Sequence, residues 1–176
     1  MTDSCFEAAD INIRAMESEP IKVAALGKPH DGRNDSFIPE PEIVGGDGGC
    51  QFSFKTFSPN TSKITITYGE RTLNTIEISN KEHMVKVGYS KGPKETTFTL
   101  DETDRIHSAI LWPNIDHTRC GGLELVVVKK GGERSTVSVR CDRLGNPVNL
   151  DVSSGKFRGI LGRSGADIDA LGLYFI

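Results

Sequence analysis

Residues 162–175 read GRSGADIDALGLYF, in which a glycine-flanked turn leads directly into an apolar run. That run, residues 168–175, has the length and composition of a buried strand. It contains one carboxylate, Asp169. An ionised aspartate accepts hydrogen bonds from two neighbouring hydroxyl groups at once, and glycine lets exposed main-chain N–H groups approach a ligand. The stretch therefore fits either a tight turn whose acid bonds its own loop amides or a site for a polyhydroxylated ligand such as a sugar.

The chain from Ile43 onward repeats this alternation of short strand and turn. Glycine accounts for 19 of the 176 residues, above the usual share of about 7%, which favours a fold with many tight turns. No segment keeps a helical period over three turns with capping residues. Glycine clusters near residues 45–49, 88–92 and 131–132 recur about every forty residues, a weak sign of three similar sheets. The pattern predicts an all-β fold with these strands: residues 51–54, 64–68, 73–79, 97–100, 106–112, 123–128, 135–140, 157–161 and 168–175.

The charge and hydropathy of the chain exclude several partner classes. The net charge is −3 and the basic residues do not cluster, so neither nucleic acid nor an anionic membrane surface is expected as a main partner. No apolar run approaches the roughly 20 residues that span a bilayer. The first residues lack the features of a secretory signal. A complete chain of this kind is expected in the cytoplasm, and a fragment of a longer protein at the cell surface or outside the cell.

Motifs for catalysis or metal binding are missing from the sequence. The glycine-rich residues 45–49 lack the Lys-Ser/Thr of a phosphate-binding loop, and neither H-E-x-x-H nor G-x-S-x-G occurs. The histidines are scattered, and His107 falls in a strand-like run. The cysteines show no metal-ligand spacing. We therefore expect no enzyme activity, no metal and no cofactor. Buried thiols with at most one disulfide are expected at the four cysteines, Cys5, Cys50, Cys120 and Cys141.

Residues 1–42 differ from the rest by holding three of the eight prolines and a polar stretch at 27–35. They are interpreted as an N-terminal extension, either a flexible tail or a segment that docks on a partner domain. The remaining residues, 43–176, form the predicted domain.

Two motifs resemble those of a known family. Residues 162–172 closely resemble the closing motif of the jacalin-related lectins, G-R-S-G-x-x-[LI]-D-A-[IL]-G, and residues 45–49 (GGDGG) resemble their opening G-G-x-G-G. The two motifs bound residues 44–176, which match the family's usual domain length. The sequence of residues 168–173, IDALGL, is closer to that of the animal zymogen granule protein 16-like members than to that of the plant lectins.

The resemblance implies a β-prism of three four-stranded Greek-key sheets, with the first and last strands side by side. It also implies a sugar site that needs no metal. The carboxylate of Asp169 would accept from O4 and O6 of the sugar, main-chain amides at 166–168 would donate to O5 and O6, and the opening glycines would contact O3 and O4. The implied site residues are Gly45, Gly46, Gly165, Ala166, Asp167, Ile168 and Asp169.

This sequence departs from the plant pattern at Ala166 and Asp167, where those lectins often carry tyrosine or tryptophan. Without that aromatic face, the affinity for a single sugar should be low. The charge of Asp167 should also disfavour sulfated or sialylated glycans. A middle loop, residues 88–94, is a further source of contacts.

Two functions follow from the resemblance. The first is a lectin for mannose- or glucose-type glycan ends, because the galactose-preferring members of the family are those with a proteolytically freed glycine. Glycans or glycoproteins would be its partners, and a homo-oligomer or a longer chain with several sites would supply avidity. The alternative is a β-prism that acts as an interaction or targeting module of a larger protein, with a degenerate sugar site.

Overall fold

The computed structural model describes residues 40–55, 62–81 and 84–176. Every regular element in these ranges is a β-strand, which confirms the predicted all-β class. The twelve strands are β1 (Val44–Gly45), β2 (Cys50–Lys55), β3 (Ser62–Tyr68), β4 (Leu73–Ser79), β5 (Met84–Val87), β6 (Lys94–Leu100), β7 (Arg105–Pro113), β8 (Cys120–Val128), β9 (Arg134–Arg140), β10 (Val148–Leu150), β11 (Phe157–Ser164) and β12 (Ile168–Phe175).

The strands form three antiparallel four-stranded sheets, as the resemblance implied. The sheet orders are β1-β12-β11-β2, β5-β4-β3-β6 and β10-β7-β8-β9. In the last two sheets, three consecutive strands form a meander and the fourth returns beside the first, which is a Greek key. The first sheet has the same order when the chain is followed from β11 and β12 into β1 and β2. The two ends of the domain therefore complete one sheet together.

The three sheets enclose one hydrophobic core. Alternate residues of the edge and middle strands point inward, as in β2, where half-buried and exposed residues alternate. Strand β12 is buried along its whole length, so it lies at the centre of the packing. The largest fully buried side chains come from all three sheets: Ile66, Leu73, Val87, Leu111, Leu125, Val127, Val139, Ile168 and Leu171.

The structure adds short strands that the sequence pattern did not indicate. Strand β5 has four residues and β10 has three, too few to show a period.

The spacing of the glycine clusters also differs from the symmetry of the fold. Residues 45–49 and 88–94 each connect the third and fourth strands of a Greek key, whereas Gly131 and Gly132 lie between β8 and β9, the second and third strands of theirs.

The cysteines divide into two kinds. Cys120 and Cys141 are buried free thiols, as expected, and burial raises the pKa of each to about 12, so neither is a reactive thiolate at neutral pH. Cys50 is disulfide-bonded, so the disulfide that the sequence left open is formed. Cys5 and most of the N-terminal extension lie outside the described residues.

Two further expectations concern residues in these ranges. His107 is an exposed residue of β7, which agrees with its interpretation as a strand-face residue. The described residues contain no helix of the length and apolarity that a membrane span requires.

Candidate functional site

The pairing of the first and last strands brings the two glycine motifs together. Strand β1 lies beside β12, with Val44 opposite Leu171 and Gly45 opposite Ala170. Just beyond this pairing, the N–H of Gly46 donates to the carbonyl of Asp169 at 2.8 Å. The opening loop (residues 45–49) and the closing turn (residues 165–167) therefore meet at one end of the prism.

A β-bulge sets the position of Asp169. In the ladder between β11 and β12, Arg163 pairs with Ala170 and Ser164 pairs with Ile168, so Asp169 has no partner across the strands. An extra residue of this kind bends the strand and re-aims a side chain. The bulge lets Ile168 and Leu171, three positions apart, both enter the core with no exposed surface. The carboxylate of Asp169 can then point toward the opening loop.

The opening loop packs directly on this carboxylate. A Cβ atom on Gly48 would lie 2.8 Å from Oδ1 of Asp169, and one on Gly49 would lie 2.3 Å from Oδ2. Gly49 also has a φ of +64°, which disfavours any other residue. The two glycines are therefore required by the close approach of the main chain to the acid.

Arg163 holds the opening loop in this position. Its Nε donates to the carbonyl of Gly48 at 2.8 Å, and one terminal nitrogen donates to the carbonyl of Gly49 at 2.9 Å. A guanidinium that binds two successive carbonyls fixes their orientation as well as their distance. Arg163 is thus a positioning residue of the loop, a role that the sequence motif did not reveal.

A third loop, residues 114–119 between β7 and β8, contributes a cation. Nη1 of Arg119 lies 2.8 Å from Oδ1 of Asp169; the side chain of Arg119 is 39% exposed and that of Asp169 only 4%. The buried side chain of Asn114 shapes this loop, because its Oδ1 accepts from the N–H groups of Thr118 and Arg119. The candidate acid is therefore a buried carboxylate that is covered by the half-exposed side chain of Arg119.

The surroundings of Asp169 act on its pKa in opposite directions. Burial is the largest influence and raises the pKa of the carboxyl, whereas Arg119 and the hydrogen bond from the main chain of Gly165 lower this pKa. The neighbouring charge of Asp167 adds to the rise, and that of Arg163 opposes it. Burial thus raises the free energy of the ionised Asp169 carboxylate. A further hydrogen-bond donor would stabilise this charged form.

The closing turn presents free main-chain donors next to the acid. Within the described residues, the N–H groups of Ala166 and Asp167 donate no hydrogen bond. Ala166 is exposed and Asp167 is partly exposed. Two unpaired amides beside one carboxylate form a set of donors and acceptors that matches the hydroxyl groups of a sugar ring.

The side chain of Asp167 is bound to another sheet. Its Oδ1 accepts from Nδ2 of Asn74 at 2.8 Å and from the hydroxyl of Ser90. Asn74 belongs to β4 and Ser90 to the middle loop. These contacts attach the closing turn to the second sheet.

The structure places the predicted site residues in three environments. Gly45 and Gly46 lie beside Asp169, and Gly165 and Ala166 lie in the turn before it. Ile168 is a core residue, so its side chain faces away from any ligand. Sequence reasoning did not find Arg119, which lies fifty residues from its partner and carries no local motif.

Metal ligands are not grouped in this part of the molecule. Among residues 40–55, 62–81 and 84–176, no three His, Cys, Asp or Glu side chains lie close enough together to hold a metal ion. The candidate site consists of main-chain amides, one buried carboxylate and two arginines.

A family model described as "Jacalin-like lectin domain" matches residues 41–174. The chain belongs to this family. Jacalin-like lectins are carbohydrate-binding proteins, in agreement with the function that the two motifs implied. Among curated proteins, none matches the sequence.

Solved structures with the same fold include members of the family from animals and plants. The lamprey immune protein is 25% identical with a TM-score of 0.67, over 78% of this chain and 44% of the lamprey chain. This chain thus spans less than half of that protein. The Malaysian banana lectin is 21% identical with a TM-score of 0.59, over 77% of this chain and 95% of the banana lectin chain. A mannose-specific jacalin-related lectin from Morus nigra, in complex with mannose, is 19% identical with a TM-score of 0.64, over 82% of this chain and 98% of the Morus nigra chain.

Proposed function

We propose that residues 43–176 form a metal-independent lectin domain that binds mannose- or glucose-type ends of glycans between the opening loop and the closing turn. The observation that carries this proposal is the convergence of one acceptor and several donors. Asp169 lies against Gly48 and Gly49, and the unpaired amides of Ala166 and Asp167 lie just before it. Adjacent hydroxyls of a sugar need both kinds of partner within one small area.

Arg119 must move for the sugar to reach the acid. The carboxylate is 4% exposed and its Oδ1 is occupied by the guanidinium. The opening loop is fixed by two hydrogen bonds from Arg163, so the half-exposed side chain of Arg119 is the part that yields. Two sugar hydroxyls then replace the guanidinium as donors to Asp169, and Arg119 turns toward solvent.

The mannose- or glucose-type preference rests on the opening loop. Gly45 and Gly46 lie within a continuous chain, and the Gly46 N–H is already bonded to the carbonyl of Asp169. A free amino terminus at this loop, the feature of the galactose-preferring members, would require cleavage of the chain before Gly45. The mannose complex of the Morus nigra lectin, which has the same fold, supports this choice.

The binding of one sugar should be weak. Each hydrogen bond to a charged group contributes about 1.5–3 kcal/mol, and displacement of Arg119 offsets part of this gain. We expect a Kd for mannose near 1 mM, roughly −4 kcal/mol. Several copies of the site on one assembly would be needed for useful avidity.

Replacement of Asp169 tests the proposal. Asp169→Asn should abolish binding to mannose-terminated glycans on an immobilised panel and in a mannose titration, because the amide presents a donor where the sugar needs an acceptor. Thermal stability should change little, since the ionised carboxyl is already penalised by burial.

Asp104→Asn is the matched control. Asp104 is also a buried aspartate, with a side chain 3% exposed and 2.6 Å from Nζ of Lys129, but it precedes β7 at the other end of the prism. This variant should bind glycans like the native protein. Full binding by Asp169→Asn would place the sugar elsewhere and defeat the proposal.

The second candidate function is an interaction module with a closed sugar site. The ion pair between Arg119 and Asp169 favours it, because the pair fills the place of the ligand. The lamprey protein, of which this chain covers 44%, has a similar domain within a longer chain. A native protein that ignores every glycan on the panel would support this alternative.

A further inference from the structure

The disulfide of Cys50 has one candidate partner within this chain. The sequence contains four cysteines, and Cys120 and Cys141 are both free thiols. Because Cys50 is disulfide-bonded, the cysteine that remains to complete the bond is Cys5. Cys50 is the first residue of β2, an edge strand of the first sheet. A bond from Cys5 would therefore attach the start of the N-terminal extension to the β2 edge of this sheet.

The end of the extension lies at the opposite edge of the same sheet, just before β1. A Cβ atom on Gly172 of β12 would lie 2.8 Å from the carbonyl oxygen of Glu42 and 3.4 Å from Cγ1 of Ile43. In the order β1-β12-β11-β2, the two edges are three strand spacings apart, about 14 Å. With Cys5 bonded to Cys50, residues 6–39 have to connect one edge of the first sheet to the other.

The outward face of the first sheet is shielded from solvent. Leu161 and Tyr174 lie outside the core cluster of the three sheets, yet they are only 8% and 4% exposed. The ammonium group of Lys55 lies over the ring of Tyr174 at 4.5 Å. The outward apolar side chains of the third sheet, Ile110 and Val126, are half-buried by comparison. The face around Leu161 therefore resembles a covered surface more than an open one.

The extension contains a segment whose composition suits this face. Residues 21–26 read IKVAAL, and they lie midway between Cys5 and Glu40. The neighbouring residues 27–35 are mostly polar. Attachment at both ends makes contact between this apolar run and the sheet an intramolecular event, so a modest apolar contact is enough to hold it.

We propose that residues 6–39 pack across the outward face of the first sheet, with residues 21–26 against Leu161, and that a disulfide between Cys5 and Cys50 closes this segment on the domain. The N-terminal extension is then an intramolecular partner of the prism. This inference is independent of sugar binding.

Peptide mapping without reductant tests the disulfide. Free thiols of the full chain are blocked with iodoacetamide in urea, and the protein is then digested. Mass spectrometry should find the peptide that contains Cys5 joined to the peptide that contains Cys50, and dithiothreitol should separate the two. An alkylated Cys50, or Cys50 joined to the same residue of a second copy, would overturn the pairing.

Limited digestion of the oxidised full chain with trypsin tests the packing. Cleavage after Arg14, followed on a reducing gel, reports how often residues 6–39 leave the sheet, because proteolysis follows the population of the open form. Leu161→Ser should speed this cleavage about tenfold relative to the native chain. Ile110→Ser is the matched control, since it removes an outward apolar side chain from the third sheet, and it should leave the rate unchanged.

A second pair of variants leaves the prism itself unaltered. Val23→Ser/Leu26→Ser should also speed cleavage after Arg14, whereas Asp31→Ser/Asp35→Ser, in the polar part of the same segment, should not. Residues 43–176 should stay intact in all four variants, which shows that the domain is folded. Cleavage of the native chain as fast as that of Val23→Ser/Leu26→Ser would overturn the packing, whatever the state of the disulfide.

Discussion

The two ends of the prism each carry a buried aspartate paired with a partly exposed cation, and they differ in what surrounds the acid. At one end, Asp104 lies 2.6 Å from Nζ of Lys129 and accepts the N–H of Asp101 at 2.9 Å. At the other end, Asp169 lies 2.8 Å from Arg119. Strand β7 separates the two ends, because Asp104 precedes it and residues 114–119 follow it.

The chain itself completes the bonding at the Asp104 end. Lys129 also donates to the carbonyl of Thr99, and the N–H of Asp104 donates back to the carbonyl of Asp101. These bonds close the turn before β7. At the Asp169 end, two amides of the closing turn are left without partners in the described chain. The two buried ion pairs therefore differ in their surroundings, because unpaired main-chain donors lie beside Asp169 and the turn around Asp104 is closed by its own hydrogen bonds.

The glycines of the two ends differ in the same way. Gly131 has a φ of +105°, and a Cβ atom there would meet nothing within 4 Å. Gly49 also has a positive φ, but its Cβ would lie 2.3 Å from Oδ2 of Asp169 and 2.4 Å from the main chain of Ser164. Gly131 is therefore needed only for the conformation of its turn. Gly49 is needed for its conformation and also because the loop packs closely on Asp169 and Ser164.

The largest expected effect is therefore that of Gly49→Ala. Backbone strain of roughly 1–2 kcal/mol and a clash that costs about 1–3 kcal/mol should lower the free energy of unfolding by about 3 kcal/mol in a urea titration. Mannose binding should be lost because the opening loop must move off Asp169. Gly131→Ala carries the strain alone and should cost about 1 kcal/mol with binding intact. Equal losses in the two variants would remove the distinction between the two ends.

Local patterns in the sequence predicted the all-β class, and the resemblance to the jacalin-related lectins implied the three-sheet prism and the meeting of the two motifs. The period-two runs indicate strands, as at β4 and β12, whose bounds agree with the predicted runs. The glycine motifs record places where the main chain must come close to Asp169 or turn sharply. Such requirements are visible in one sequence because few residues satisfy them.

The rest of the candidate site depends on contacts between distant loops. Arg119 reaches Asp169 because Asn114 folds the loop before β8, and the middle loop lies near Ala166 because Ser90 and Asn74 bind the closing turn. Surface arginine, serine and asparagine residues are common and have no local signature. Their partners are set by the tertiary packing of three sheets, which spacing alone does not predict.

An intermediate effect is expected from Arg119→Ala. If the guanidinium competes with the sugar for Oδ1 of Asp169, its removal should strengthen mannose binding at neutral pH about tenfold, which corresponds to roughly 1.4 kcal/mol. Arg134→Ala, which removes an exposed arginine at the Asp104 end, should leave the affinity unchanged. Weaker binding by Arg119→Ala would show that the guanidinium holds the sugar and would reverse its assigned role.

The smallest effect expected is a shift in pH dependence. Burial raises the pKa of Asp169, and Arg119 lowers it. Because the sugar needs the ionised carboxyl, mannose binding should be lost as the pH falls through a midpoint above that of an ordinary aspartate. In Arg119→Ala the midpoint should move to still higher pH, since the lowering influence is gone. Mannose titrations from neutral to acidic pH measure both midpoints, and identical midpoints would contradict the role given to Arg119.

The stability contributed by Asp169 should change with pH in the direction opposite to that of mannose binding. A carboxyl whose pKa is raised by folding binds its proton more tightly in the native state, so its ionisation costs stability. As the pH falls through the native pKa of Asp169, the native protein should gain stability relative to Asp169→Asn, whereas it loses mannose binding over the same range. Urea unfolding of both proteins across this range measures the difference. A native protein that loses both properties together would show that the charge of Asp169 supports the fold, as expected of a structural ion pair and not of a binding site.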